Sequence, residues 1–448
     1  MQHTSPLAAR SLRSVWHPCT QMRRHEEVPP IALARGHGPW LFDTDGRRYL
    51  DAISSWWVNL FGHTNACINA ALIDQLGQLE HAMLAGFTHE PVVQLSERLA
   101  ALTGQALGHC FYASDGASAV EIALKMSVHA WRNAGHADKN EFICLAGSYH
   151  GETVGALGVT DLPLFRTAYE ALLRPAHLAA SPDARQAAPG ESAADVSRRA
   201  LADVQRLLQE RRGRIAAVIV EPLVQCAAGM VMYDPDYLRG LRALCDAHGA
   251  HLIADEIAVG CGRTGSFFAC EQAGVWPDLL CLSKGISGGY LPLSLVMASD
   301  AIYAAFYDHD VRRGFLHSHS YTGNALACRA ALATLDLFAQ ERVLERNARF
   351  APVLARALQP LAQDARVRHV RQRGMIWACD AVIGEADLAA RFSRCLAEEA
   401  AQRELLVRPI GTTLYVMPPY ILDEAQAQWL GQRLHAAFDA AMKQQARP

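Results

Sequence analysis

Between Cys110 and Ala298, six short and almost wholly apolar runs alternate with helical stretches. This rhythm limits the possible folds more than any other feature of the chain. The runs are Cys110-Phe-Tyr-Ala113, Phe142-Ile-Cys-Leu-Ala146, Ile215-Ala-Ala-Val-Ile-Val220, His251-Leu-Ile-Ala254, Leu279-Leu-Cys-Leu282 and Leu293-Ser-Leu-Val-Met297. Strands that are apolar on both faces need cover on both faces, and strands joined by helices run parallel. Ahead of the fourth run, Asp236 can cap a helix that lines up Leu238, Leu241, Leu244 and Cys245, and Gly249 sits where the helix should stop. The prediction is an α/β fold with a large, mostly parallel sheet of about seven strands.

The stretch from Arg174 to Arg199, rich in Ala, Pro, Ser and Asp, reads as a surface excursion within this lobe. After Tyr321 the pattern changes to a helix around Ala325 to Phe338, a strand-like region from Arg368 to Asp380 and a closing helix, which predict a smaller α/β lobe. The expected division is 1–62 as an N-terminal segment joining the small domain, 63–330 as the large domain and 331–448 as the small one. No internal repeat is visible.

With 42 Lys and Arg against 45 Asp and Glu, the net charge is -3 and no basic stripe points to a nucleic-acid partner. Arg-rich pieces such as Arg211-Arg212-Gly213-Arg214 read as solvated helix ends. The 12 cysteines are scattered singly, as small buried side chains in a reducing compartment would be. No stretch approaches 18 uninterrupted apolar residues, so no membrane span is expected. The first residues lack the apolar core of a secretory signal, and although basic and free of acid they are too short for a transit peptide. A cytoplasmic enzyme is expected.

Two motif matches fail on context. Gly260-Cys-Gly262-Arg-Thr-Gly265 matches the dinucleotide pattern G-x-G-x-x-G. Asp255 and Glu256, however, precede it inside the end of the strand, and Ser283-Lys284 ends the next strand where a ribose-binding acid belongs. Gly285-Ile-Ser287-Gly-Gly289 matches the hydrolase elbow, yet Pro292 and an alternating run follow it in place of a helix. His317 and His319 could share a strand face, but no third ligand has metal-site spacing, so no metal is expected.

What remains is Asp255 at the tip of one buried strand and Lys284 at the tip of a later one. Such groups cost several kcal/mol unless paired or used. By themselves they fit a salt bridge at the sheet edge equally well. Their surroundings favour chemistry: ligands of open α/β sheets bind at the carboxyl ends of the strands. Gly285, Gly288 and Gly289 leave room beside Lys284 for a flat group. Ala113-Ser-Asp-Gly116-Ala-Ser118 runs from a strand into a helix, whose free N–H groups and positive dipole end suit a phosphate. An amine to bind an aldehyde, an acid to keep a ring nitrogen protonated and a phosphate anchor are what pyridoxal 5′-phosphate requires.

At these residues the chain resembles the class III, fold-type I aminotransferases. The resemblance rests on Leu252-Ile-Ala-Asp255-Glu-Ile-Ala-Val-Gly-Cys-Gly-Arg263-Thr-Gly and Asp278-Leu-Leu-Cys-Leu-Ser-Lys284-Gly-Ile-Ser-Gly-Gly. Within the class the chain is similar to the biotin-pathway branch, through Trp16-His-Pro-Cys19-Thr-Gln-Met22, Ser54-Ser-Trp56-Trp57, Ser148-Tyr149-His-Gly151, Glu221-Pro222, Gly323-Asn324-Ala-Leu-Ala-Cys328 and Arg408-Pro-Ile-Gly…Tyr415-Val-Met-Pro-Pro419. It implies transfer of an amino group to 8-amino-7-oxononanoate, with Lys284, Asp255 and Tyr149 at the chemistry. Gly116, Ala117, Tyr149, Glu221, Asp255 and Lys284 would hold the cofactor, and Ser320 would reach the phosphate of a partner subunit's cofactor, so a homodimer is implied. Trp56, Cys19, Tyr149, Lys284, Ser318 and Arg408 would meet substrate. For Arg408 there is separate physical sense, since a guanidinium fork matches a carboxylate. If Trp56 and Trp57 are neighbours on a strand, at most one faces the ligand.

Some positions depart from the branch that uses S-adenosylmethionine as donor. Cys19 stands where a tyrosine is expected to stack on adenine, Ala117 replaces a serine, and Ser318-His319-Ser320 replaces Gly-Pro-Thr. Gly285-Ile-Ser-Gly-Gly-Tyr-Leu-Pro and His319-Ser-Tyr-Thr-Gly-Asn are similar to a branch that takes lysine. The rival readings are a class III aminotransferase for an ω-amino acid or diamine, and a non-catalytic regulator, for which the residues before Trp16 provide no DNA-binding module.

Overall fold

The computed structural model describes residues 5–384 and 386–445. Its centre is a seven-stranded sheet: β1 (His109–Ala113), β2 (Glu141–Leu145), β3 (His177–Ala179), β4 (Ile215–Val220), β5 (His251–Asp255), β6 (Leu279–Leu282) and β7 (Ser294–Ala298). The spatial order is β1-β7-β6-β5-β4-β2-β3, and β7 runs antiparallel between β1 and β6. All six apolar runs of the sequence are strands. β4 and β6 are buried at every position, as a doubly covered sheet demands.

The seventh strand, β3, lies at the edge beside β2, inside the stretch read as a surface excursion. The same stretch opens the long helix Ala193–Glu210, started by a Ser192–Asp195 capping box. That reading is therefore corrected: three residues of strand leave no periodic trace among alanines and prolines. The helix Pro235–His248 is capped by Asp234, with Pro235 in its first turn, in place of the predicted Asp236. Gly249 ends it in the left-handed conformation, as predicted.

One face of the sheet is covered chiefly by the helix Gly116–Asn133 and the other by helices that include Pro235–His248 and Ala325–Gln340. The latter runs through the expected division at 330 and packs on Ala66–Leu76 and Glu90–Leu102. The C-terminal part forms a second core around Trp377, Phe392, Leu414 and Phe438. Its strands Val367–Arg373, Ile376–Ala381 and Thr413–Val416 form an antiparallel sheet. Leu405–Leu406 pairs in parallel with Arg48–Asp51, which ties the N-terminal strands to the C-terminal core. Among the described residues no helix is long and apolar enough to cross a membrane.

Candidate active site

At the carboxyl ends of β5 and β6 an open cavity of about 280 Å³ is lined by Trp57, Gly116, Ala117, Tyr149, His150, Gly151, Glu152, Glu221, Asp255, Ile257, Ala258 and Lys284. Asp255 ends β5, and Lys284 follows β6 by two residues with φ at 48°. The two side chains therefore face one space. β5 and β6 are hydrogen-bonded neighbours, and parallel neighbours of similar length deliver their tips to the same edge.

Asp255 is held from two sides. His150 Nδ1–H donates to its Oδ2 at 2.7 Å, and the Ile257 backbone N–H donates to Oδ1 at 3.0 Å. His150 is itself buried. Burial pushes the Lys284 amine below its ordinary value against the pull of Asp255, which disfavours the charged form of Nζ. Glu221 lies in the same wall, its oxygens accepting the Tyr149 N–H at 3.1 Å and the Cys226 N–H at 3.0 Å. Burial, with the charge of Asp255 added, pushes its carboxyl up to about 7. Behind the wall, buried Glu256 accepts the Ala269 and Cys270 N–H groups and is likewise pushed up to about 7.

Gly116 and Ala117 begin the helix Gly116–Asn133, whose cap Asp115 accepts the Ser118 N–H and leaves the first N–H groups at the cavity. A Cβ at Gly116 would come within 3.0 Å of Ile257 Cγ2, so this close approach admits only glycine without a shift. A phosphate cradle, a carboxylate and a buried amine thus converge on a space able to take a flat heterocycle. The donor set fits pyridoxal 5′-phosphate.

The tryptophan pair contradicts the strand expectation. Ser54, Ser55, Trp56 and Trp57 have φ of 51°, 48°, 73° and 72°, a left-handed turn of four residues without a glycine. Each such residue costs roughly 1–2 kcal/mol, so the turn costs about 4–8 kcal/mol that its surroundings offset. Ser54 Oγ–H donates to Met417 O, Ser55 Oγ–H to Asp51 Oδ2, and Trp57 Nε1–H to Tyr415 Oη. Arg263, buried, gives its guanidinium to the carbonyls of Trp57, Asn59 and Pro418 and lies over the Tyr420 ring. Gly289, with φ at 85°, sits so close that a Cβ would meet Asn59 Cα at 2.8 Å. As a result both tryptophans meet functional groups. Lys284 Nζ lies 5.3 Å from the Trp57 ring centre, and the Arg408 guanidinium lies 4.2 Å from that of Trp56.

Trp57 lines the cavity, whereas Trp56 is 39% exposed on its rim side with Arg408, which donates to Cys19 O. Cys19 interacts electrostatically with Glu152 and Arg408, and Glu152 accepts the Tyr149 hydroxyl at 2.8 Å. Cys19, Trp56, Arg408 and Tyr149 are thus gathered at one rim. Ser318 and Ser320 are exposed and outside this cavity. The Ser320 carbonyl meets His81, and His317 meets Lys125 rather than His319. The sequence alone assigns no role to His150 or Trp57. His150 stood inside the quoted Ser148-Tyr149-His-Gly151 segment, and its link to Asp255 spans 105 residues, beyond any local signal.

The class-III aminotransferase family model matches residues 21–438. A Helicobacter pylori protein named adenosylmethionine-8-amino-7-oxononanoate aminotransferase is 44% identical over 439 residues, 96% of each chain. The crystal structure of a protein of that name from Methanocaldococcus jannaschii superposes with a TM-score of 0.90 at 32% identity, covering 97% of this chain and 98% of the other. An amine transaminase from an uncultivated Pseudomonas species, solved in its PLP-bound form, gives a TM-score of 0.89 at 32% identity over 95% and 98% of the two chains.

Proposed function

The chain belongs to the class III aminotransferases, which work with pyridoxal 5′-phosphate, and from that premise we propose that it converts 8-amino-7-oxononanoate to 7,8-diaminononanoate in biotin synthesis. The observation that carries this reading is 44% identity, over 96% of both chains, to a relative named for that substrate. S-Adenosylmethionine is the proposed donor, as that relative's name states for itself, with lysine as the alternative suggested by Gly285-Ile-Ser-Gly-Gly-Tyr-Leu-Pro and His319-Ser-Tyr-Thr-Gly-Asn.

Bound pyridoxal 5′-phosphate supplies an electron sink for moving an amino group. Gly116 and Ala117 would offer N–H groups and the helix dipole to its phosphate, and the Asp255 carboxylate would serve its ring nitrogen as a charge-assisted partner. His150 keeps that carboxylate oriented. Lys284 Nζ, whose charged form burial disfavours, would hold the aldehyde. Nζ would then serve as the base that takes the proton from the donor's amine-bearing carbon. In the second half-reaction it gives a proton to the acceptor's carbonyl carbon. Arg408 would receive the acceptor's carboxylate against the Trp56 face, and Tyr149 would lie against the cofactor ring. Ser320 reaches the partner subunit's cofactor in a cytoplasmic homodimer, and Ser318 belongs to the same substrate-facing segment.

The test is an assay of the purified, loaded enzyme with 8-amino-7-oxononanoate and S-adenosylmethionine or lysine in turn, scoring 7,8-diaminononanoate by mass spectrometry. Product with one donor is expected. No product with either supports the second reading, transfer to or from an ω-amino acid or diamine, which the 32% likeness to an amine transaminase favours.

A further inference from the structure

Asp51 ends the strand Arg48–Asp51, is 1% exposed, and is absent from the cavity lining. Its Oδ2 nevertheless accepts the Ser55 hydroxyl at 2.6 Å, from within the left-handed turn, and meets His63 Nε2 at 3.2 Å. His63 Nδ1 in turn meets the Asn59 side-chain amide at 3.3 Å, two residues past the turn. One buried carboxylate therefore grips the turn in its middle and, through His63, just beyond its exit. Ser55 and Trp56 sit at φ, ψ of 48°, 49° and 73°, 47°, a conformation that side-chain-bearing residues leave readily once released. The indole that Arg408 lies against is attached to the second of these residues.

We propose that Asp51 is a positioning residue for the acceptor's carboxylate site: it holds the Ser54–Trp57 turn in its left-handed form and so sets the Trp56 face on which Arg408 is aimed. A free Arg408 side chain would sample many rotamers. Laid on a fixed indole, with Cys19 O as a second support, the guanidinium fork is preorganised for a planar anion. Asp51 acts on substrate only through the turn. It touches none of the groups that hold the cofactor or move the proton. The inference rests on the reading of Trp56 and Arg408 as the wall that meets the acceptor.

The test is a double-mutant cycle in steady-state kinetics on the pyridoxal-phosphate-loaded enzyme, with D51N, W56A and D51N/W56A and 8-amino-7-oxononanoate as the varied substrate. D51N should raise KM for this acceptor about tenfold, the scale of one charge-assisted contact. The single-turnover rate with donor alone, read from cofactor absorbance, should stay within about twofold. In the double variant KM should match that of W56A, because what Asp51 holds is already gone. Multiplying effects in the double variant, an unchanged KM in D51N, or an equal loss in the donor half-reaction would each overturn the proposal. If W56A itself leaves KM unchanged, the reading of the wall is wrong, a different failure. Should D51N not fold, S55A, which removes only the hydroxyl partner, takes its place in the cycle, and a wild-type KM in S55A overturns the proposal.

Discussion

Asp255 and Lys284 reach the cavity floor on two neighbouring parallel strands, whereas Cys19, Trp56 and Arg408 are brought to its rim from three segments far apart in the chain. The floor is made by regular structure. Its register fixes where a side chain goes, and its charged tips are surrounded by buried apolar strand. The rim is made by turns and loops held through side-chain bonds, among them a left-handed turn that no local preference favours. The floor suits chemistry common to a family, and the rim suits a particular substrate. A rim built of separate pieces can change without disturbing the floor.

Substitutions should separate the two. Lys284→Ala is expected to abolish turnover, by about 10⁴-fold or more, together with the visible absorbance of bound cofactor. Appreciable turnover would break the comparison at its strongest point. Asp255→Asn should lower kcat by on the order of 10²–10³-fold, since a neutral amide cannot hold the ring's positive charge. Cofactor retention on a desalting column should fall with it. Arg408→Ala should act on the other side, raising KM for the amino-oxo acid about 10- to 100-fold and leaving the donor half-reaction near its original rate. A loss of kcat as large as that of Asp255→Asn would show that rim and floor are not separable.

The smallest effect concerns pH. Glu256 sits behind the floor with its carboxyl pushed up to about 7 from an ordinary 4.5. Between those values the folded protein keeps a proton that the unfolded chain has released, so this group costs stability progressively as pH rises from about 4.5 to about 7. Glu221 adds the same trend, and buried His251, pushed down to about 4, opposes it below 6.5. Relative to the parent, Glu256→Gln should therefore gain a few °C in Tm between pH 5 and pH 7.5 by calorimetry. A difference that does not change with pH would mean the carboxyl is ionised throughout.

The floor was legible because burying charge is expensive: an acid and an amine at the ends of apolar runs stand out against their neighbours, and helix starts and strands obey local rules. β3 escaped because three residues are too few for periodicity to register. The capping residue of Pro235–His248 was misplaced by two positions because Asp234-Pro-Asp236 offers two acids, and the proline in the first turn decides between them. Strand alternation misplaces the tryptophan pair because the backbone there coils left-handed. Such a run carries no mark when none of its residues is glycine. The contacts of Arg408 with Cys19 and Trp56 span 389 and 352 residues, and only the folded chain reveals them.

The left-handed turn also bears on how this rim could be reshaped for other molecules. At most surface positions, trading a large side chain for glycine loosens the main chain. At Trp56, with φ at 73°, glycine is the one residue that adopts the required angles freely. A Trp56→Gly exchange would open the entrance by the volume of an indole while easing the torsional load on the chain, so breadth of substrate could be gained at this position with little loss of backbone order.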